Sequence, residues 1–308
     1  MSLKIVFLGT AGSIPTPTRS LPAIAIIRLG ELIIFDCGEG VQRQMVKAGL
    51  GFNKKTKIFI THMHGDHVLG LPGLIQTMSL LHRDKQLEVY GPCGLKGFLA
   101  GVEKALRSLP TFPLKIKEIN QKGLVCEEED YSVYATQANH VAPSFSYSLV
   151  EKHRPGKFYP EKARALGVPE GVLWSRLQQG LLVKLQDGSV VKPEMVVGPL
   201  RPGRKIVYTG DTMFSNAIVE LARDADLLIH DCTFDDDLSE RAIEDGHSTP
   251  SQAAKTAEKS NVKRLILTHV SARYKTTRKL IGQARKVIAD VEVAEDFMKI
   301  QLPLKDFK

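Results

Sequence analysis

Thr61-His62-Met63-His64-Gly65-Asp66-His67 stands at the end of the apolar run Lys57–Thr61, and the rest of the chain is read outward from it. Side chains at a strand end can converge on one point, and the following loop turns further groups inward. Histidine nitrogen and aspartate oxygen are the donors that suit zinc and its borderline neighbours. A lone histidine here would be an ordinary surface or core residue. Three histidines and one aspartate within six positions are hard to place as packing, because buried polar groups need partners. A metal centre supplies that partner.

A pair of ions needs roughly six or seven ligands, so later strand ends have to contribute. His140 follows a strand that ends near Gln137, Asp211 follows one ending at Tyr208, and His269 ends Leu265-Ile266-Leu267-Thr268. Each alone has an ordinary role: Asp211 as a helix cap, His269 as a donor to a backbone carbonyl. Their common place at C-terminal strand ends sets them apart.

Strands and helices alternate around these positions. Lys4–Gly9, Ala23–Leu29, Leu32–Asp36 and Lys57–Thr61 read as strands, Val41–Ala48 and Val68–Leu81 as helices. Glu88–Gly91 is strand then turn, and Leu95–Leu106 is helical. Asp130–Gln137, Ser144–Val150, Lys205–Tyr208, Asp226–His230, Arg264–Thr268 and Glu292–Ala294 read as further strands. Helices at Ala217–Arg223, Thr249–Asn261 and Thr276–Ile288 lie between the last of them. Alternation of this kind argues for an α/β domain with ligands at strand ends.

The 308 residues are 43% apolar and 25% charged, which excludes disorder as the default and leaves ample length for a core. Cys37, Cys93, Cys126 and Cys232 are far apart, as expected of reduced thiols rather than a disulfide framework. Met1-Ser2-Leu3-Lys4 runs straight into a strand without a signal-peptide pattern, and no apolar run is long enough to span a bilayer. A cytoplasmic protein with no membrane partner is the simplest expectation. The net charge of +8 favours a polyanionic partner, although many basic proteins have none.

From Glu151 to about Gly203 glycines and prolines recur, and Lys152–Lys192 holds eight Lys or Arg against three acids. The punctuation reads as an irregular, flexible arm over 151–203, inserted in a single domain over 1–308. The arm is either a nucleic-acid grip or a solvated insertion with a chance charge excess.

Taken together, T-H-x-H-x-D-H, the later His140, Gly210-Asp211-Thr212 and Thr268-His269 resemble the metallo-β-lactamase superfamily across nearly the whole chain. Within it, the chain is similar to the ribonuclease Z family, endonucleases that trim the 3′ trailer from precursor tRNA. Phe7-Leu8-Gly9-Thr10, Phe35-Asp36-Cys37-Gly38-Glu39-Gly40, Gly246-His247-Ser248-Thr249, Ser271-Ala272-Arg273-Tyr274 and the inserted arm carry that resemblance. It implies a four-layer αβ/βα sandwich, a homodimer, and an arm that holds tRNA. It implies two zinc ions per subunit, with Mn and Co sharing the same ligands. His62, His64 and His140 would hold one ion, Asp66, His67 and His269 the other, and Asp211 would bridge. Two ions about 3.5–4 Å apart can clamp a scissile phosphate and lower the pKa of water to about 7. Asp66 would also orient the attacking water.

The resemblance further implies His247 as the acid that protonates the leaving 3′-oxygen, with Arg273 and Ser271 on a phosphate. The family's H-E-A-T segment reads His230-Asp231-Cys232-Thr233 here, so Asp231 stands where a longer Glu would orient His247. Pro15-Thr16-Pro17-Thr18-Arg19-Ser20 stands where many relatives carry P-x-K-x-R-N, a loop that bears on treatment of the CCA end. Two rivals remain at this stage. One is a small-molecule phosphodiesterase or arylsulfatase-like hydrolase on the same fold. The other is a non-catalytic RNA-binding module with structural metals.

Overall fold

Alternation along the first strands decides the layering. Val6, Leu8, Ile34, Ile58 and Ile60 pack in one cluster with Met45, Leu74, Met78 and Leu99 from neighbouring helices. The residues between them face the other way. Phe35 meets Tyr147 at 5.9 Å and Tyr208 at 5.7 Å, and Phe59 meets Tyr147 at 5.5 Å, so rings from two different sheets interleave. The outer face of the second sheet is covered in the same way: Val207, Leu228, Leu265 and Leu267 pack on Ala253, Ala257, Leu280 and Ala284. The result is the expected four-layer αβ/βα sandwich, seen here in a computed structural model that describes residues 3–304.

The first sheet runs Lys299–Leu302, Leu3–Gly9, Ala23–Arg28, Glu31–Phe35, Thr56–Phe59, Leu87–Pro92, Leu114–Ile119. The second runs Val291–Val293, Leu265–Thr268, Leu227–Asp231, Lys205–Tyr208, Phe145–Glu151, Tyr131–Gln137, Gly123–Glu127. In each, a block of parallel strands sends its C-terminal ends to one edge.

Two elements differ from the sequence reading near that edge. The helix expected over Val68–Leu81 begins inside the histidine motif and is interrupted, as Gly65–Val68 and Gly70–Leu80. Pro72 has no amide to continue the ladder, and the amide of Gly70 turns to the carbonyl of Cys37 (2.9 Å). A Cβ on Gly70 would lie 2.0 Å from the carbonyl oxygen of Gly38, so only glycine lets the helix approach this loop. The strand expected to include Asp36 stops at Phe35, and Asp36 takes a left-handed φ of 58°.

The chain forms two compact units, a large one with both seven-stranded sheets and a small one made chiefly of Glu151–Arg204. The small unit is more ordered than an irregular arm. It holds helices Pro160–Ala165, Val172–Gln178 and Pro193–Val196 and the paired strands Val183–Lys184 and Val190–Val191. Pro160 and Pro193 open helices, and Gly167 and Gly180 follow helix ends at φ 72° and 83°. Ala163, Val168, Leu177, Val183, Val191 and Val196 form its core. Glu151 and Arg204 close its base through a buried two-point ion pair (2.6 and 2.7 Å).

Among the described residues no helix is long and apolar enough to cross a membrane. Cys37, Cys126 and Cys232 are buried and Cys93 is exposed, all as free thiols.

Candidate active site

All seven expected ligands converge, each delivered by a loop of the large unit. His62 and His64 leave the strand Thr56–Phe59, and Asp66 and His67 sit in the short helix Gly65–Val68. His140 follows Tyr131–Gln137, Asp211 follows Lys205–Tyr208, and His269 follows Leu265–Thr268 at a left-handed φ of 62°. They form two sets that share one member. His62, His64, His140 and Asp211 bring donor atoms within 4.8 Å of one another, and so do Asp66, His67, Asp211 and His269.

Spacing within the sets is that of donors around an ion. With bonds of about 2.1 Å, neighbouring donors of a tetrahedral centre lie about 3.4 Å apart. His64 Nδ1 and His140 Nε2 are 3.3 Å apart, His67 Nε2 and His269 Nε2 3.4 Å, and His269 Nε2 and Asp66 Oδ2 3.4 Å. Asp211 divides its oxygens: Oδ1 lies 3.3 Å from both His67 Nε2 and His269 Nε2, and Oδ2 lies 3.7 Å from His62 Nε2. His62 Nε2 and Asp211 Oδ1 are buried without a hydrogen-bonding partner among the described residues, which suits a cation between them.

A second ring of contacts fixes which nitrogen each imidazole offers. His67 Nδ1 donates directly to Asp36 (2.7 Å), and His62 Nδ1 reaches the same carboxylate through Thr61 Oγ1 (3.0 then 2.9 Å). On the other side, His247 Nδ1 donates directly to Asp231 (3.0 Å). His269 Nδ1 reaches Asp231 through Thr233 Oγ1, with 2.7 Å at both steps. Each buried carboxylate thus serves one imidazole directly and a second through a threonine. His140 Nδ1 donates to the carbonyl of Gly246 (2.8 Å). Such partners lock the ring and leave Nε2 free to ligate. Asp36, Thr61 and Thr233 carry this task; all three lie in motifs quoted from the sequence, but nothing in those motifs assigns them this role. Asp36 also accepts from the Tyr208 hydroxyl at 2.7 Å.

The electrostatics are those of a cavity short of positive charge. Burial pushes the His67 imidazole down, but Asp211 and Asp36 outweigh it and raise it well above its ordinary range. His269 behaves alike, pushed up to about 10 against burial by Asp211, Asp231 and Asp66. Burial pushes the Asp66 carboxyl up, and His269 and His67 override it and hold the group far below the usual carboxylate range. His62 and His140 are pulled down, chiefly by burial. Where carboxylates hold protons on two imidazoles, a divalent cation meets the same demand.

His247 stands beside these sets, its ring 5.3 Å from His140 and 5.1 Å from His269. Asp231 is long enough to reach it, and also accepts from the amides of Thr212 (3.1 Å) and Ser248 (3.2 Å). Burial pushes His247 down, and Asp231 and Asp211 bring it above its ordinary value. Arg273 is exposed, its guanidinium 4.7 Å from the Phe234 ring, which in turn lies 6.0 Å from His247. Arg273 Nε donates to Ser271 Oγ at 3.2 Å.

The N-terminal loop lines the same edge. The amide of Ser13 donates to Asp66 Oδ2 (2.9 Å), and a Cβ on Gly12 would meet His269 Nδ1 at 2.8 Å. Arg19, kept from the family motif, anchors this loop: its guanidinium donates to the Ala294 carbonyl (2.6 Å) and Thr10 Oγ1 (2.7 Å).

Two sheets that deliver paired histidine and aspartate sets to one edge define a metal-dependent enzyme of the metallo-β-lactamase superfamily. The family model for the Beta-lactamase superfamily domain matches residues 194–270, and that for the anti-Pycsar protein Apyc1 matches residues 3–155. The chain is 47% identical to ribonuclease Z of Haloferax volcanii, over 99% of this chain and 97% of that one. It is 47% identical to ribonuclease Z of Methanosarcina acetivorans, over 98% and 99%. The crystal structure of human tRNase Z, short form, superposes with a TM-score of 0.72 at 31% identity, over 98% of this chain and all of that one. The chain belongs to the ribonuclease Z family and is an endoribonuclease of that type.

Proposed function

We propose that this protein removes the 3′ trailer from precursor tRNA by hydrolysing the phosphodiester on the 3′ side of the discriminator nucleotide. The tRNA keeps a 3′-hydroxyl and the trailer a 5′-phosphate. The carrying observation is the pair of ligand sets sharing Asp211, with a hydrogen-bonded His247–Asp231 pair beside the shared carboxylate (His247 Nδ1 to Asp211 Oδ2, 3.9 Å).

His62, His64 and His140 would hold one zinc ion and Asp66, His67 and His269 a second, with Asp211 between them. Mn and Co suit the same donors. When bound, such ions supply Lewis-acid polarisation of the phosphate and a water ionisable near neutral pH. Asp66, held by the Ser13 amide, orients the attacking water. The water oxygen bonds to phosphorus as the bond to the ribose 3′-oxygen breaks. His247 delivers a proton to that oxygen from Nε2, while Asp231 keeps Nδ1 occupied. Arg273, steadied by Phe234 and Ser271, meets a phosphate oxygen. The basic insert grips the tRNA body, and the working form is a cytoplasmic homodimer.

The test is cleavage of a 3′-extended precursor tRNA by zinc-loaded protein with a chelator control, the cut mapped to the nucleotide. A metal-dependent cut directly after the discriminator is expected. Folded, metal-loaded protein that spares the tRNA yet turns over a small chromogenic diester would overturn the reading.

A further inference from the structure

Three residues beyond Asp211, Phe214 stands half-buried at the surface of the large unit. Its ring carries two ammonium groups, Lys259 Nζ at 5.2 Å and Lys255 Nζ at 6.0 Å from the centroid. The two lysines are four residues apart on the helix Pro250–Lys259, which begins three residues after His247, so they project from one face towards the ring. Both are exposed, and neither has an acidic partner among the described residues. Lys279, Lys263 and Arg241 of the same half of the sandwich are neutralised, by Asp235 and Asp237, by Asp226 and by Asp245 respectively. The loop that carries Phe214 is tied to the site, since the amide of Met213 donates to the carbonyl of Asn139, next to His140 (2.8 Å).

We infer that Phe214, Lys255 and Lys259 form a stacking platform for the single-stranded trailer next to the scissile phosphate. An aromatic ring beside two unpaired ammonium groups is the arrangement that binds unpaired nucleotides, one base on the ring and phosphates on the cations. In a precursor tRNA the strand before the cut is held in a duplex up to its last unpaired nucleotides. The trailer is free strand throughout, so it matches a platform of this kind. The inference rests on the proposed tRNA reading for the identity of the strand, but not for its chemistry.

The test uses metal-loaded full-length protein with the variants Lys255→Ala/Lys259→Ala and Phe214→Leu, each checked for an unchanged melting temperature. Anisotropy of a labelled ten-nucleotide oligoribonucleotide should show about tenfold weaker binding for either variant. The double-lysine variant should lower the salt slope by about 1.4, the share of two phosphates on a single strand. With precursor tRNA, KM should rise about tenfold for a ten-nucleotide trailer and stay unchanged for a one-nucleotide trailer, at constant kcat. Equal losses for both trailers, or unaltered oligonucleotide binding, would overturn the platform. Because oligonucleotide binding needs no cleavage, it reads the platform even if precursor tRNA is not cut.

Discussion

Asp36 and Lys162 show how differently two parts of this chain are built. Asp36 is fully buried, in a left-handed backbone conformation, and bound by Thr61 and His67 of the histidine motif and by Tyr208, which lies 172 positions away. Lys162 is exposed on a helix of the small unit, and its ammonium lies 4.6 Å from the centroid of the Tyr159 ring. The first kind of residue has one possible geometry, which is what catalysis needs. Under the proposed function the second would work by charge, which suffices for gripping a polyanion. Six buried apolar side chains, with Phe158, Leu166, Leu173, Trp174, Leu185 and Val197 packed against them, make a small core of its own, and the Glu151–Arg204 pair closes its base. The contrast predicts that damage to the ligand sets and their buried partners appears in kcat and metal content, and damage in the small unit in KM and salt dependence.

The largest effect is expected from Asp211→Ala, which strips a ligand from both sets. Cleavage should fall to background, and elemental analysis should find fewer than two ions per chain. Retention of both ions would break the shared-ligand assignment. His247→Ala should come next, with kcat down by about 10²–10⁴-fold while the metal content stays put. A fall in metal content there would make His247 a ligand instead of an acid.

The two threonine relays offer a finer cut. Thr61→Val and Thr233→Val each remove a hydroxyl between a carboxylate and an imidazole without changing shape much. Each should weaken metal binding about 10–100-fold in a competition with a chromogenic chelator. Thr61→Val should act on the His62 set and Thr233→Val on the His269 set, so the two variants should lose different ions. Equal loss of both ions in each variant would mean that the relays are not separate.

The same contrast explains what could be read in the sequence. The ligands are legible because each follows a run of β-branched, aliphatic or aromatic residues that reads as a strand, and strand ends meet at one edge. The length of Asp231 left its bond to His247 open; the fold brings the two residues to 3.0 Å. Asp36 and Thr233 were hidden because their partners are remote: Tyr208 lies 172 positions from Asp36, and His269 lies 36 from Thr233. Three of the four edge strands are hidden for a related reason, whereas Val291–Val293 is legible. Lys299–Leu302 is a strand only because Leu3–Val6 pairs with it from the far end of the chain. In the insert the glycines and prolines read as an irregular arm, yet several of them bound short helices, since a local signal alone does not tell a cap from a break.

The small unit can be removed where it narrows. Gly198 N donates to the carbonyl of Lys157 at 2.8 Å, and a Cβ on Gly156 would come within 1.8 Å of the Gly198 carbonyl oxygen. Excision of 157–197 therefore joins two backbones already in contact, and leaves no half of the small core behind. KM for precursor tRNA should rise by about tenfold or more, with hydrolysis of a small phosphodiester nearly intact. Equal loss of both activities would show that the insert supports the site itself.

Lys162→Ala should have the smallest effect and the most specific one. An exposed cation that contacts one phosphate contributes little affinity, but its loss removes about one released counterion. The slope of log K against log salt for tRNA should therefore become shallower by about 1, at a cost of a few-fold in affinity and none in kcat. Tyr159→Leu controls for the ring: it keeps the charge and should leave the slope unchanged. A changed kcat in either variant would mean that the small unit takes part in positioning the scissile bond, and the division between the two units would fall.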